Sequence, residues 1–409
     1  MEVLRGSVRT YAWGSRTHLA ELLGEEVPSP HPQAELWLGA HRDQSSTVGD
    51  PESRPLTDVV AEDPAGTLGP SRRQRWSDRL PYLLKVLAAE EPLSLQAHPS
   101  AEQAAAGYAR EEAAGVPRTA GDRNYPDPLP KPELLCALTE FHALAGFRDA
   151  ERTVRLLRAL DVRALDHHTE LLAAQPDGDG LRALFTTWIT LPQRAVDDLV
   201  PALLDGAVAH VRERGEFTTE ARTLLDLGER YPGDAGVLAA LLLNRVVLAP
   251  GECLYQPAGS PHAYLAGAGV ELMANSDNVL RCGLTPKHVD VPELLRVLDF
   301  APGTPTLLKG EGTGPVLRYT PSEYFSLARA AFDGGDGDDG DEGEADLGLE
   351  GPRILVTVEG VVRLRTSRGQ VRDVAKGSAV WIPACDGPVT IAPVDGPALA
   401  FAAADGLGS

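Results

Sequence analysis

The sequence predicts a mainly β chain interrupted by one helical block, and three observations predict it. Short apolar stretches broken by Gly and Pro fill residues 1–147, then return over 244–304 and 305–409. Between them, over 148–243, apolar residues recur at three- and four-residue spacing, the period of an amphipathic helix. The length, 409 residues, exceeds the ~100–200 residues of an ordinary domain. The tracts therefore read as three units: 1–147 plus 244–304, 148–243, and 305–409.

The segment MEVLRGSVRTYAWG lacks the apolar centre of a signal peptide. No apolar run reaches the roughly 18 residues of a membrane span. A cytoplasmic chain without a membrane partner is expected. Residues 80–98 hold two apolar stretches separated by Glu90, Glu91 and Pro92, which reads as two strands and a turn. The helical block opens with Asp149 placed as an N-cap before AERTVRLLRAL. Strand character resumes at 244–265. A helix then follows in DVPELLRVL, with Asp290 as N-cap, Pro292 in the first turn and Glu293 as capping-box partner. In the last unit RILVTVEG, VVRLRT and SAVWIPA read as strands. Residues 333–348 are nearly all Asp, Glu and Gly. They have almost nothing to bury and are expected to be disordered. A calcium loop would need a ligand spacing closed by a distal Glu, which this segment lacks.

The formal charge is −21, from 59 acidic and 38 basic residues. It excludes nucleic acid and anionic membranes as partners. An anionic small molecule would need a local basic pocket. The four cysteines, Cys136, Cys253, Cys282 and Cys385, form no C-x-x-C pair, so a thiolate zinc site is not indicated. Scattered thiols fit a reducing compartment and read as small apolar filler.

Chemistry concentrates in four places. In Ser94-Leu95-Gln96-Ala97-His98, polar and apolar residues alternate strictly. In a strand, Ser94, Gln96 and His98 share one face, and two residues span about 6.6–6.8 Å, so neighbouring side chains can converge on one ion. In Gly251-x5-Pro257-x-Gly259-x2-His262, a strand runs into a tight turn that presents one His. This pattern resembles the second of the two motifs that mark cupin barrels, in which that His is a metal ligand. Lys131-Pro132-Glu133 enters an apolar strand. Such a charged pair must be exposed or paired inside a site, and taken alone an exposed edge is the better reading. Glu271, Asp277, Arg281 and Lys287 follow His262 directly, and blandly read they form a surface ion-pair loop.

Taken in order, these pieces resemble type I phosphomannose isomerases. The matching stretches are YAWGS (11–15), AELWLGAH (34–41), LPYLLKVL and PLSLQAHPS (80–100), KPE (131–133), FHALAGFR (141–148) and the long run from Pro257 to Val291. The resemblance implies a catalytic cupin barrel (jelly roll), a helical insertion and a second cupin-like barrel. It implies one zinc ion held by Gln96, His98, Glu133 and His262. The nitrogen and oxygen donors do not exclude Fe, Mn or Co. It further implies a catalytic Arg281, active-site roles for Glu271 and Lys131, and a pocket lined by Trp13, Ser94, Tyr264, Asp277 and Lys287. The substrate would be a sugar phosphate, with mannose 6-phosphate and fructose 6-phosphate interconverted through an enediol or enediolate, and the chain a monomer. Where the family usually carries Asn-His before Lys-Pro-Glu, this chain has Leu129-Pro130. In the last unit, Gly377-x5-Pro383 repeats the start of the 251–262 motif, but Asp386 and Gly387 follow and no His. That unit reads as a metal-free, structural cupin.

Three other readings compete. An iron dioxygenase would use two His and one carboxylate with open positions. A sugar-phosphate-binding module without catalysis would be expected to have lost some of the ligands or Arg281. Isomerisation of glucose 6-phosphate differs only in fine pocket geometry.

Overall fold

The computed structural model describes residues 1–333 and 343–408. Among these residues the strands form three sheets of eleven, eight and four strands, and none closes on itself. Six consecutive α-helices, from Ala150–Ala159 to Gly236–Ala240, occupy the stretch where the helical period was read. No helix of the described residues is long and apolar enough to cross a membrane.

The eleven-stranded sheet positions the chemistry. Its main path runs Thr306–Leu308, Cys253–Gln256, Glu133–Ala137, His262–Ala274, Tyr82–Ala89, Glu35–Leu38, Ser7–Arg9. The strand His262–Ala274 belongs to two layers. Residues 267–274 pair with Tyr82–Ala89, while 262–266 pair with Phe141–Phe147, with an irregularity between Tyr264 and Ala266. Gly267 sits beside that irregularity at φ +118, and a Cβ there would lie 2.7 Å from the Glu140 carbonyl oxygen, so only glycine fits. At His262 the same strand also pairs with Leu95–Ala97, which pairs in turn with Leu280–Gly283.

Alternation sorts side chains between cores. From Glu133–Ala137, Leu135 and Ala137 join Leu87, Phe141, Ala143, Leu254 and Tyr264 in a cluster between the layers. Leu134 and Cys136 point the other way, into a core shared with Phe325, Ile354, Trp381 and Phe401 of the eight-stranded sheet. Leu95 and Ala97 pack instead against the helical block, in one core with Leu181, Phe185 and Trp188. That packing pins the strand from behind and leaves its Gln96 face for other work. The block begins as expected, with the Asp149 side chain accepting from the Arg152 N–H, a cap worth about 1 kcal/mol.

Several expectations need correction. The Glu293 carboxylate does not return to the Asp290 backbone as a capping-box partner. It takes hydrogen bonds from Tyr125, Arg110 and Arg296, while Asp290 caps the helix alone. Cys385 is exposed, unlike the three buried cysteines, because it lies in a short turn, Ala384–Asp386, and not in a strand. Residues 2–5, read with the first unit, pair with Ala379–Ile382 in the eight-stranded sheet. Of the acidic segment 333–348, residues 334–342 lie outside the described residues. Its far end is ordered: Ala345–Asp346 pairs with Val389–Pro393, and Leu347 is buried in the core of the four-stranded sheet. A buried Leu outweighs the acidic composition around it.

Candidate functional site

Three buried groups converge where the two layers meet. The ligand-type atoms of His98, Glu133 and His262 all lie within 4.8 Å of one another. Glu133 opens its strand, His262 opens the long strand, and His98 follows Leu95–Ala97 directly. His98 Nε2 stands 3.2 Å from Glu133 Oε1, and His262 Nε2 stands 3.2 Å from Glu133 Oε2.

The hydrogen bonds on the far side of each ring fix the chemistry. His98 Nδ1 lies 2.9 Å from the Asn278 carbonyl oxygen, and His262 Nδ1 lies 3.1 Å from the Ser260 carbonyl oxygen. A carbonyl only accepts, so each Nδ1 carries the proton and each Nε2 turns a lone pair inward. Burial, aided by Lys131 and His262, pulls the His98 imidazole down to about 4 against the attraction of Glu133, so this ring is neutral near pH 7. Burial alone would raise the Glu133 carboxyl, but its charged surroundings, with the Lys131 ammonium 3.1 Å away, outweigh it and hold it well below the ordinary carboxylate range. Two lone pairs thus face a carboxylate in a dry site, with His98 Nε2 and Glu133 Oε2 lacking any hydrogen-bond partner. Acceptors crowded this way call for a cation. Gln96 lies beside this group, its amide 3.4 Å from His262 Nε2 and its strand position directly opposite His262. The orientation of that amide is interchangeable at equal shape, and a carboxylate with two imidazoles suits zinc.

Lys131 is buried, not on an exposed edge. Its ammonium lies 3.1 Å from Glu133 Oε1. Glu271 likewise leaves the expected surface loop. It lies inside the long strand, directly opposite Lys85, whose ammonium bridges Glu271 Oε2 at 3.0 Å and Glu35 Oε1 at 3.2 Å. Burial raises the Glu271 carboxyl above its ordinary range, with Lys85 opposing and Glu133 and Glu35 adding to the rise. Burial works against the Lys85 charge, but Glu271, Glu35 and Glu133 more than offset it and keep the ammonium charged. The Tyr264 hydroxyl is buried without a partner, and burial together with Glu271 and Glu133 keeps it protonated. Its ring centroid is 5.9 Å from that of His262.

Arg281 faces Gln96 directly across the Leu95–Ala97 and Leu280–Gly283 ladder, so both side chains share a face. Burial lowers the Arg281 guanidinium from its ordinary value. Lys287, exposed, is lowered by partial burial and by the like charge of Arg281. Neither has a carboxylate within ion-pair distance among the described residues, so the bland reading of a surface ion-pair loop does not hold for these two. Ser94 is half-buried and precedes Gln96 by two residues. Trp13 is half-buried, stacks on Tyr11 at 5.6 Å, packs against the cluster between the layers, and its carbonyl accepts from the Glu90 and Glu91 backbone N–H groups. Asp277 is partly exposed and is held by His41 at 3.0 Å and Arg118 at 3.2 Å.

Sequence reasoning missed Lys85, Glu35, His41 and Arg118. One signal was available: a lysine inside YLLKVLAA, eight consecutive buried residues, must be paired.

Residues 1–150 match the catalytic-domain model of type I phosphomannose isomerases. Mannose-6-phosphate isomerase of Escherichia coli (strain K12) is 39% identical over 399 residues, covering 96% of this chain and 97% of its own. The chain belongs to the mannose-6-phosphate isomerase family. Mannose-6-phosphate isomerase 1 of Arabidopsis thaliana is 31% identical over 93% of this chain and 89% of its own. The fold agrees as well. A crystal structure of mannose 6-phosphate isomerase from Salmonella typhimurium, bound to its substrate fructose 6-phosphate and to zinc, superposes with a TM-score of 0.87, at 35% identity and full coverage of both chains.

Proposed function

We propose that this protein interconverts mannose 6-phosphate and fructose 6-phosphate, moving one proton between C2 and C1 of the open-chain sugar, with zinc held by Gln96, His98, Glu133 and His262. The observation that carries the reading is the dry group of inward lone pairs around an ionised Glu133, in a chain related over nearly its full length to isomerases of this kind. When bound, the cation supplies Lewis acidity toward a sugar oxygen.

The chain's own residues divide the remaining work. The permanently charged Arg281 stabilises oxygen that becomes anionic in the enediolate, or orients the sugar. With Lys287 it also offers the local basic patch that a phosphate needs in a protein of charge −21. Glu271, raised by burial and its acidic neighbours, is the carboxyl best tuned to take a proton from one carbon and return it to the next. Lys131, tied to Glu133, carries protons in ring opening. Asp277 accepts a sugar hydroxyl. Trp13, Ser94 and Tyr264 line the pocket, and the Tyr264 hydroxyl is a donor without a partner.

The reading extends to architecture: a catalytic cupin from 1–147 and 244–304, a helical insertion from 148–243 and a metal-free cupin-like unit from 305–409. In the last of these the turn after Pro383 places Asp386 against the α-amino group of Met1, at 2.5 Å, and presents no His. The protein acts as a cytoplasmic monomer without nucleic-acid partners, and its net charge supports that exclusion.

The test is a coupled assay for fructose 6-phosphate formed from mannose 6-phosphate, on zinc-loaded and chelated protein in parallel. Activity should vanish with chelation and return with zinc. Absence of activity with every divalent metal would overturn the reading.

A further inference from the structure

We infer that His41 is a positioning residue that orients the Asp277 carboxylate toward the sugar, with Arg118 gripping the second oxygen. The inference rests on the role proposed for Asp277. His41 is only 4% exposed, yet its ring is not core filler. Its Nδ1 accepts the Asp43 backbone N–H at 3.3 Å. An accepting Nδ1 leaves the proton on Nε2, which therefore donates to Asp277 Oδ1 at 3.0 Å. Trp37 packs edge-on against the ring, with centroids 4.9 Å apart at 73°, and fixes its plane. The other oxygen, Asp277 Oδ2, accepts from Arg118 at 3.2 Å, and Arg118 is itself clamped by both oxygens of Asp43. His41 and Arg118 thus share Asp43 as their common support.

The backbone under Asp277 is fixed too. Its N–H donates to Asp127 Oδ2 at 2.8 Å, and Ser276 Oγ donates to Asp127 Oδ1 at 2.8 Å. Asn278 donates to the Asp127 and Leu129 carbonyls and gives its own carbonyl to His98. One short segment therefore holds the His98 ring, and its neighbour in sequence holds Asp277. The same web reaches Leu129, two residues before Lys131. Structural needs alone do not require an aspartate that is 31% exposed to receive a dedicated buried imidazole. An acceptor held ready for a hydroxyl does, because fixing its lone pairs beforehand removes the cost of ordering them when the sugar arrives.

Two substitutions separate support from function. In His41→Asn the short side chain can still accept the Asp43 N–H, but it cannot reach Asp277. In His41→Gln the longer amide places an N–H near where Nε2 lies. Each would be compared with Asp277→Asn and with the His41→Asn/Asp277→Asn pair, measuring kcat, KM, bound zinc and thermal unfolding. The expectation is that His41→Asn lowers kcat/KM by about tenfold to a hundredfold, as for loss of one hydrogen bond to a charged group, with bound zinc unchanged. His41→Gln recovers most of that loss, and the double variant is no worse than Asp277→Asn alone. Equal activities in folded His41→Asn and His41→Gln, or full additivity in the double variant, would overturn the inference. If His41→Asn does not fold, folded zinc-loaded His41→Gln decides alone, and a loss there overturns it. Parent-level activity in Asp277→Asn would overturn the role proposed for Asp277 and this inference with it, whereas an impaired Asp277→Asn beside an unimpaired His41→Asn overturns this inference only.

Discussion

Lys85 is one cation shared by two buried carboxylates, and removing it has a calculable cost. The side chains of Lys85, Glu35 and Glu271 are 7%, 8% and 4% exposed, at 3.2 and 3.0 Å separation. In Lys85→Met the volume stays similar, but both carboxylates lose their partner in a dry site. Breaking a buried ion pair from one side costs about 3–5 kcal/mol. Part of this is relieved because one carboxyl takes up a proton, and Glu271 is already raised by burial. We therefore expect a loss near the lower figure, about 3 kcal/mol, at pH 7.5. The pH dependence has a definite sign. Carboxyls raised in the folded protein bind protons that the unfolded chain releases, so stability falls as pH rises through their folded range. The deficit of Lys85→Met relative to parent should therefore be smaller at pH 5.5 than at pH 8. Urea unfolding of metal-free protein at both pH values, with Lys85→Met/Glu271→Gln as a third sample, measures this. The double variant should recover part of the loss, because it removes one of the stranded charges. A deficit under 1 kcal/mol, a deficit independent of pH, or no recovery in the double variant would refute the reasoning.

Other outcomes follow from the same geometry. His262→Ala should lose bound zinc and activity together, read by metal analysis and the coupled assay, since no other described side chain fills that position. Arg281→Ala should keep bound zinc and lose about a hundredfold or more in kcat, the usual scale for an electrostatic group in the transition state; near-normal turnover would remove Arg281 from the chemistry. Adding zinc to chelated protein should raise the unfolding temperature in a concentration-dependent way, as for any ligand that binds only the folded state, and a flat response would argue against the site. Asp405→Ala should destabilise by about 3 kcal/mol, because Arg72 donates to that buried carboxylate at 2.9 Å and would keep only the exposed Glu350 as a charged partner, which urea unfolding would measure.

Legibility in the sequence followed distance along the chain. The face shared by Ser94, Gln96 and His98 was readable because strand alternation is local. The turn that presents His262 was readable because Gly259 and Pro257 mark it at fixed spacing. Glu271 was visible as a candidate active-site residue, but nothing near it reveals that the long strand sets it opposite Lys85. That register joins residues 186 positions apart. His41 and Asp277 are 236 positions apart, and their meeting depends on two loops that share Asp127 and Asp43. Local pattern also failed at Lys131, where a charged pair beside two prolines resembles a surface edge until Glu133 is seen to serve the cluster.

The placement of Glu2–Arg5 bears on how such a chain comes to be made. This strand lies in the sheet interior, flanked by Ala379–Ile382 on one side and Thr47–Val48 on the other. One side of the strand pairs with a segment about 40 residues away, whereas the other waits for a partner more than 370 residues along the chain. Closure across such a separation is a slow, non-local event. A chain lacking residues from about 379 onward would keep Leu4 packed against Leu36, Leu38 and Val48 but would leave the other side of residues 2–5 unpaired, an edge open to pairing with another chain.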